Sequence, residues 1–157
     1  MKIEDDSSNS EKFELITFSI GSQDFCMDII LVREIRGWTN VTMLPHAPKD
    51  VLGVMNLRGA VVPIVDLSAR LGLGVCESKE RDVIIITLIE KKIVGFLVTA
   101  VSDIIELSQT DIQPMPQMGG KKENQFVKGI YISDNKTLRV LDIASLAASM
   151  TTAQESV

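Results

Sequence analysis

The chain of 157 residues has little of what catalytic and metal sites require, since it contains one histidine and two cysteines. The histidine, His46, stands in a Pro-His-Ala-Pro segment, and Cys26 and Cys76 are far apart. A zinc site needs about four such ligands, and a nucleophile needs a histidine or another base beside it. We therefore expect no metal, no cofactor and no enzyme activity. We interpret His46 as a surface loop residue and both cysteines as reduced thiols.

Long apolar runs and an excess of basic residues are also missing. The longest apolar stretch without a charge, residues 93–102, is about half of the roughly 20 residues that a membrane-spanning helix needs. With 16 basic and 21 acidic residues the net charge is −5, the opposite of the positive surface that nucleic acids attract. Glycine-rich phosphate-binding motifs do not occur. We expect a protein that binds no nucleic acid and does not insert into a membrane.

What the sequence does contain is about ten short apolar stretches separated by turn residues. Residues 16–20 alternate apolar and polar side chains, the period of a half-buried strand. Residues 61–65 and 83–86 are apolar on both faces, so they must be covered on both sides. Arg58-Gly59 lies between two such stretches, which predicts a two-residue hairpin turn. Because long helical crossovers are missing, we predict a mainly β fold of two small barrels packed against each other.

The predicted strands form two groups of five, and this grouping sets the expected boundaries. A topological repeat is expected, without an obvious sequence register between the two groups. The expected segments are a disordered tail 1–12, one folded domain 13–148 made of subdomains 13–71 and 82–141, a linker 72–81, a terminal helix 142–150 and a flexible tail 151–157.

Charges placed among apolar residues are the remaining candidates for function. By strict alternation, one strand brings Val32 and Glu34 to one face, and Arg58 projects from the hairpin tip. Flanked by Val32 and Val61, this pair would form an apolar patch with a charge-paired centre, as in many protein interfaces. Ordinary solvated charges are the alternative.

Methionines are frequent, with seven in the chain. Flexible Met side chains either fill gaps in a core or make an adaptable binding surface. For Met27, Met43 and Met55 we prefer the core interpretation.

Several motifs occur in one order over about residues 13–146. They are V-R-E-I-R-G at 32–37, G-V-M-N-L-R-G at 53–59, V-P-I-V-D-L at 62–67, V-G-F-L-V at 94–98, V-S-D-I at 101–104 and L-D at 141–142. In this combination they resemble the CheW family of bacterial chemotaxis coupling proteins. Any one of them alone would be weak support.

The resemblance implies two five-stranded SH3-like barrels around a shared hydrophobic core. It also implies a non-enzymatic cytoplasmic adaptor that couples the cytoplasmic tips of membrane chemoreceptors to the histidine kinase CheA, in arrays beneath the inner membrane. The regulatory domain of that kinase has the same fold, and the resemblance implies that the two join barrel end to barrel end. Self-association of the adaptor within arrays is a further expectation.

The same resemblance implies two sets of binding residues. A receptor tip, which is a helical hairpin, is expected to dock near the junction of the barrels, where Glu34 and Arg58 would form an ion pair. The receptor-binding candidates are Val32, Glu34, Arg58, Val61, Val83, Val94 and Val101. The kinase-binding candidates lie in a loop with an exposed tryptophan, and they are Trp38, Val41 and Met43.

Other functions stay open at this point. The same fold occurs in the kinase itself and in the CheV type, which adds a receiver domain. We expect a free-standing adaptor, because the sequence has no room for a receiver domain and no ATP-binding glycine motif of a kinase. A CheW-like regulatory module of another kinase pathway is an alternative. A small-ligand-binding β-barrel is another, against which the 4% content of aromatic residues is weak evidence.

Overall fold

Ten β-strands carry the fold in a computed structural model that describes residues 12–39, 41–73, 82–115 and 126–148. The strands are β1 (Lys12–Ile20), β2 (Gln23–Asp28), β3 (Val32–Gly37), β4 (Val51–Leu57), β5 (Ala60–Asp66), β6 (Val83–Ile89), β7 (Lys92–Val98), β8 (Ala100–Ser108), β9 (Val127–Ser133) and β10 (Lys136–Leu141). Helix α1 (Leu67–Arg70) follows β5, and a second helical segment, α2, runs over 143–148. Single 3-10 turns occupy Ile29–Leu31 and Gln109–Asp111. The predicted mainly β class is confirmed.

The strands form two five-stranded sheets, and each sheet closes on itself. One sheet, barrel A, has the order β8-β1-β2-β10-β9, and the other, barrel B, has the order β3-β6-β7-β5-β4. In barrel B, Thr42 lies beyond the edge strand β3 and exchanges two backbone hydrogen bonds of 2.8 Å with Val54 of β4. In barrel A, Gln113 does the same with Ile130 of β9. These bridges remove most of the free sheet edge, as expected for two SH3-like barrels.

The two barrels are built from an internal repeat. Gly53 pairs with Ile64 in the hairpin β4–β5, and Gly129 pairs with Val140 in the hairpin β9–β10, so equivalent residue numbers differ by 76. Each hairpin has a bulge just before its glycine. The hairpins β1–β2 and β6–β7 likewise share a register, with a difference of 69 between their residue numbers. The expected topological repeat therefore extends to the strand pairing, residue by residue, with one offset for each pair of hairpins.

An aspartate ends each of the hairpins β4–β5 and β9–β10 in the same way. The backbone N–H of Asp66 donates to the carbonyl of Asp50, and that of Asp142 donates to the carbonyl of Phe126, both at 2.7 Å. Both aspartate side chains then accept a backbone N–H at the start of the helix that follows. The terminal helix is capped by Asp142 as predicted, and its last expected residues, 149–150, lie outside the described ranges.

The halves of the chain exchange their first hairpins. Barrel A combines β1–β2 with β8–β10, and barrel B combines β3–β5 with β6–β7. The expected subdomains 13–71 and 82–141 correspond to the two repeats, but they are not the two barrels. The chain passes from one barrel to the other after β2 and again after β7, and a division at 72–81 therefore cuts through barrel B.

This exchange places the central hairpins between two apolar layers. Alternate residues of β6 show it: Ile84 and Ile86 face the interior cluster of barrel B, whereas Ile85 belongs to the shared core. In β1, Leu15 faces the interior of barrel A, and Ile16 belongs to the shared core. The apolar run at 83–86 is therefore covered on both faces, as the sequence predicted, whereas Val61 of the run 61–65 is 68% exposed.

Arg70 of α1 makes a polar link between the barrels. Its Nε lies 3.4 Å from Oδ2 of Asp50, which precedes β4 in barrel B. Its guanidinium carbon lies 5.1 Å from the centre of the Phe126 ring, which precedes β9 in barrel A. Asp50 and Phe126 are equivalent residues of the repeat, so one arginine contacts the same place in both barrels.

The burial of three methionines, the free thiol of Cys26 and the exposure of His46 follow the prediction except at Met43. Met27 and Met55 are buried as expected. Met43 is 79% exposed, because Trp38 and Val41 are the side chains of its loop that pack against barrel B. Cys26 is a free buried thiol, and desolvation by burial raises its pKa to about 12; Cys76 lies outside the described residues. His46 lies in an exposed loop, as predicted.

The predicted tails and linker fall mostly on residues that the structure does not describe. Residues 1–11, 74–81 and 149–157 are among these. Lys12, which we placed in the N-terminal tail, already belongs to β1.

Replacement of Gly53 with alanine tests the closure of barrel B. Gly53 has a φ of +154°, and a Cβ there would overlap the carbonyl oxygen of Thr42 in the closing bridge. We expect the free energy of unfolding to fall by about 1–3 kcal/mol, as measured by urea denaturation. Gly37→Ala is the matched control, because a Cβ there meets no atom within 4 Å; it should change stability by less than about 0.5 kcal/mol. Equal stability of the two variants would contradict the closure.

Candidate functional site

A β-bulge in the edge strand of barrel B determines where Glu34 points. Val32 pairs with Thr87 and Glu34 pairs with Ile86, so Arg33 is the additional residue. Thr87 and Ile86 are neighbours on β6 and face opposite sides of the sheet. The prediction that Val32 and Glu34 share one face is therefore wrong, because the bulge turns Glu34 to the inner side of the barrel.

Arg58 approaches the same carboxylate from the tip of the hairpin β4–β5. Arg58 and Gly59 both have positive φ angles, 51° and 87°, as a two-residue hairpin turn requires. Nη1 of Arg58 donates to Oε2 of Glu34 at 3.0 Å, and Nη1 of Arg36 donates to Oε1 at 3.2 Å. The ion pair between Glu34 and Arg58 is thus present, and Arg36, which the alternation placed on the same face as Glu34, is a third member that the predicted pair lacked.

The electrostatics of this cluster favour the ionised carboxylate. Partial burial of Glu34 opposes ionisation, but the hydrogen bonds and charges of Arg58 and Arg36 outweigh it, so the pKa of Glu34 lies below its ordinary value. The Glu34 side chain is 23% exposed and that of Arg58 is 76% exposed. A mostly covered carboxylate therefore holds an exposed guanidinium in place at the end of barrel B.

The valines of the candidate site fall into three groups. Val61, next to the hairpin tip, is 68% exposed. Val32, Val83 and Val101 are partly buried and pack against the shared core. Val94 is 5% exposed and belongs to that core, so it supports the surface from beneath and does not present a side chain to a partner.

These residues do not form one compact cluster. Val83 pairs with Gly37 at the opposite end of β6 from the Val32–Thr87 pair, about 13 Å away along the strand at about 3.3 Å per residue. Val101 is the second residue of the equivalent strand of barrel A, β8, where it pairs with Phe18. The structure brings together Glu34, Arg58 and Arg36, and it spreads the valines around them over both barrels.

The loop that follows β3 carries the second set of candidates. The backbone N–H of Trp38 donates to the carbonyl of Asp82 at 2.9 Å. Trp38 and Val41 pack against the interior cluster of barrel B, so Trp38 is half-buried and not the exposed anchor that we expected. Met43 and Leu44, 79% and 46% exposed, are the outward apolar side chains of this loop.

Five exposed apolar residues were missed in the sequence analysis, and Ile30 and Leu44 are the two that lie in loops. Ile30, in the turn between β2 and β3, is 81% exposed, and Leu44 lies beside Met43. The one available signal was their position at turns, where an apolar side chain has little chance of burial.

The described part of the chain offers neither a membrane-spanning helix nor a metal site. None of its helices has the length and apolar character needed to cross a membrane. Within the same residues, no three His, Cys, Asp or Glu side chains come together in a way that could hold a metal ion.

Comparisons with known proteins extend over nearly all of the chain. The CheW-like domain matches residues 14–150. The chemotaxis protein CheW of Rhizobium meliloti is 48% identical over 136 residues, which cover 87% of this chain and 88% of that protein. The CheW of Klebsiella aerogenes is 32% identical over 136 residues, with coverages of 87% and 82%. The crystal structure of the scaffolding protein TtCheW from Thermoanaerobacter tengcongensis superimposes with a TM-score of 0.78 at 29% identity, with coverages of 87% and 92%.

Removal of the Arg58 guanidinium should raise the pKa of Glu34 toward its ordinary value. Because the pKa of Glu34 in the folded protein is lowered, the carboxylate stabilises the fold above the ordinary glutamate pKa, and this contribution is lost as the pH falls through the lowered value. We expect Arg58→Ala to shift the midpoint upward in an NMR titration of the Glu34 carboxyl carbon. Arg33→Ala, on the same strand, should leave it unchanged. An identical titration curve in wild type and Arg58→Ala would contradict the ion pair.

Proposed function

Because the chain belongs to the CheW family, we propose that it couples membrane chemoreceptors to a histidine kinase by binding both proteins. The chain is a chemotaxis adaptor of the scaffolding type, since its relatives over most of their length are chemotaxis proteins and its structural neighbour is a scaffolding protein. The match to the CheW-like domain over residues 14–150 carries this conclusion. The two partners, the binding residues and the location at receptor arrays beneath the inner membrane are the proposed part.

The receptor-binding surface is proposed around the first half of β3 and the tip of the hairpin β4–β5 in barrel B. Arg58 is exposed but oriented by Glu34, and Val61 is exposed beside it. Side chains held in place before binding lose little conformational entropy when a partner docks. A helical hairpin presents apolar residues at helical spacing, with charges along its edges, and an apolar surface with an oriented arginine suits such a partner. Val32, Val83 and Val101 would extend this surface toward the junction of the barrels.

The kinase-binding surface is proposed on the loop after β3. Met43 is exposed, whereas Trp38 and Val41 anchor the loop to barrel B, and Thr42 pairs with Val54. The loop therefore presents an adaptable apolar side chain on a fixed backbone, a common arrangement at binding surfaces. The partner would be the regulatory domain of CheA, which joins through barrel ends. Self-association within arrays would use the same kind of contact.

We further propose that the adaptor acts by binding alone, without catalysis. The interiors of both barrels are filled by apolar side chains, such as Ile64, Ile84 and Leu97 in barrel B and Leu15 and Val140 in barrel A. A filled barrel counts against the alternative of an enclosed small-ligand site.

Charge reversal at the hairpin tip tests the receptor site. In Arg58→Glu, a second carboxylate faces Glu34, so we expect the Kd for a receptor cytoplasmic-tip fragment to rise roughly tenfold or more. The thermal midpoint should change little, because Arg58 is exposed. Lys128→Glu, an equal charge change on an exposed part of β9, is the control and should bind normally. If Arg58→Glu unfolds the protein or binds the fragment as tightly as wild type, this site assignment is wrong.

A second variant separates the kinase surface from the receptor surface. Met43→Asp places a charge where the kinase contact is proposed, so binding to the isolated regulatory domain of CheA should weaken roughly tenfold or more, and binding to the receptor fragment should not change. Ile132→Asp alters an exposed apolar residue of barrel A and is the matched control. Calorimetric titration with each partner measures both effects. Normal kinase binding by Met43→Asp would remove the loop from the proposed interface.

A further inference from the structure

The end of barrel A that corresponds to the Glu34–Arg58 cluster is open. A cleft of about 330 Å³ lies there between β8 and the hairpin β9–β10. The proposed receptor and kinase surfaces lie mainly on barrel B, and Val101, next to Ser102 of the cleft, is their one residue on β8. The internal repeat makes the two ends comparable residue by residue.

Asp103 occupies the position in barrel A that Glu34 has in barrel B. Glu34 pairs with Ile86 directly after the bulge in β3, and Asp103 pairs with Thr17 directly after the bulge in β8. Thr17 and Ile86 each lie three residues before the last paired residue of their strands, Ile20 and Ile89. The same bulge therefore turns the Asp103 carboxylate toward the end of its barrel.

The hairpin tips are equivalent as well, but their charges are opposite. Asp134 is the first residue of the turn between β9 and β10, with a φ of 45°, and Arg58 is the first residue of the turn between β4 and β5, with a φ of 51°. In barrel B the tip supplies a guanidinium to Glu34. In barrel A the tip carries a carboxylate, and within the described residues Asp103 forms no ion pair.

The lining of the cleft has an apolar floor and an acidic rim. Ile105, Tyr131 and Leu138 of the floor belong to the interior cluster of barrel A. The rim carries four carboxylates and one lysine, namely Asp24, Asp103, Glu106, Asp134 and Lys136. An aliphatic stem over the floor with a cationic head at the rim matches this pattern.

The carboxylates of the rim are spread along the cleft. In the residues that the structure describes, they do not converge on one point as ligands of a metal ion would. An extended cation with several donors suits spread carboxylates better, and a guanidinium offers five N–H donors in a plane.

We propose that this cleft binds an arginine side chain of a partner protein, in the place that Arg58 takes within barrel B. The observation that carries the proposal is the repeat itself, because the equivalent carboxylate in the same fold already holds a guanidinium. Barrel B thus supplies a guanidinium from its own hairpin tip, whereas Asp103 of barrel A takes one from outside; the cations near this rim are lysines, Lys136 and Lys12, which lies 4.0 Å from Glu106. The chain would then have a contact on barrel A that is chemically distinct from the surfaces on barrel B.

A short peptide tests the cleft in the intact protein. We expect acetyl-Gly-Arg-Gly-amide to shift backbone amide signals of Thr17, Ser102, Asp103 and Ser133 in NMR titrations, with a Kd of roughly 1–10 mM because a solvent-exposed charge pair contributes little. The citrulline peptide, which has the same shape without the charge, should produce no such shifts. The lysine peptide should bind more weakly than the arginine peptide.

Two substitutions complete the test. Asp103→Asn should weaken binding of the arginine peptide several-fold. Asp134→Arg should abolish it, because the new guanidinium would occupy the cleft as Arg58 does in barrel B. Glu90→Arg is the matched control, since Glu90 is the first residue of the hairpin turn β6–β7 with a φ of 49°, and it should bind the peptide normally.

The results that would overturn the proposal are distinct. With the peptides, they are equal signal shifts for arginine and citrulline, equal affinity for arginine and lysine, or shifts only of residues that lie outside the cleft. With the variants, the contradicting result is a folded Asp134→Arg protein that binds the arginine peptide as tightly as wild type.

Discussion

The exchange of hairpins between the two halves of the chain is the constraint on which the rest of the structure depends. Each barrel is completed by two strands from the other half, so neither closes without the other. The exchanged hairpins carry apolar side chains on both faces, and one face of each fills its own barrel while the other forms the shared core. The hydrophobic effect is proportional to the apolar area removed from water, and these four strands contribute on both sides at once.

The functional surfaces are secondary features of this arrangement. The central strands are buried on both faces, whereas the edge strands and hairpin tips also carry side chains that face solvent. The bulge at Arg33 and the turn at Arg58 bring such side chains together in a defined cluster, in which Glu34 orients two arginines. Side chains that are oriented before a partner binds lose little conformational entropy on binding.

Much of the fold was visible in the sequence, and the remainder depended on pairing. The strand alternation, the turn at Arg58-Gly59 and the capping by Asp142 are local features, and the sequence predicted them correctly. The assignment of strands to barrels is a long-range property, which local patterns do not encode, so the division at 72–81 did not follow the barrels.

The candidate site was predictable in composition but not in geometry. The family motif contains Glu34 and Arg58, and the resemblance implied their ion pair. The bulge that separates Val32 from Glu34 leaves no mark in a pattern of period two, and the burial of Val94 depends on the second barrel. Arg36 was absent from the predicted pair because its reach to Glu34 depends on side-chain conformation.

The repeat has a consequence for how a shorter ancestor of such a chain would have behaved. A polypeptide equivalent to one half would expose the outer face of its first hairpin and leave its sheet two strands short. Two copies would resolve both problems by trading hairpins across a two-fold axis. Joining the copies head to tail makes that association intramolecular, and the two ends of the molecule then need not be identical: one carries Arg58 where the other carries Asp134.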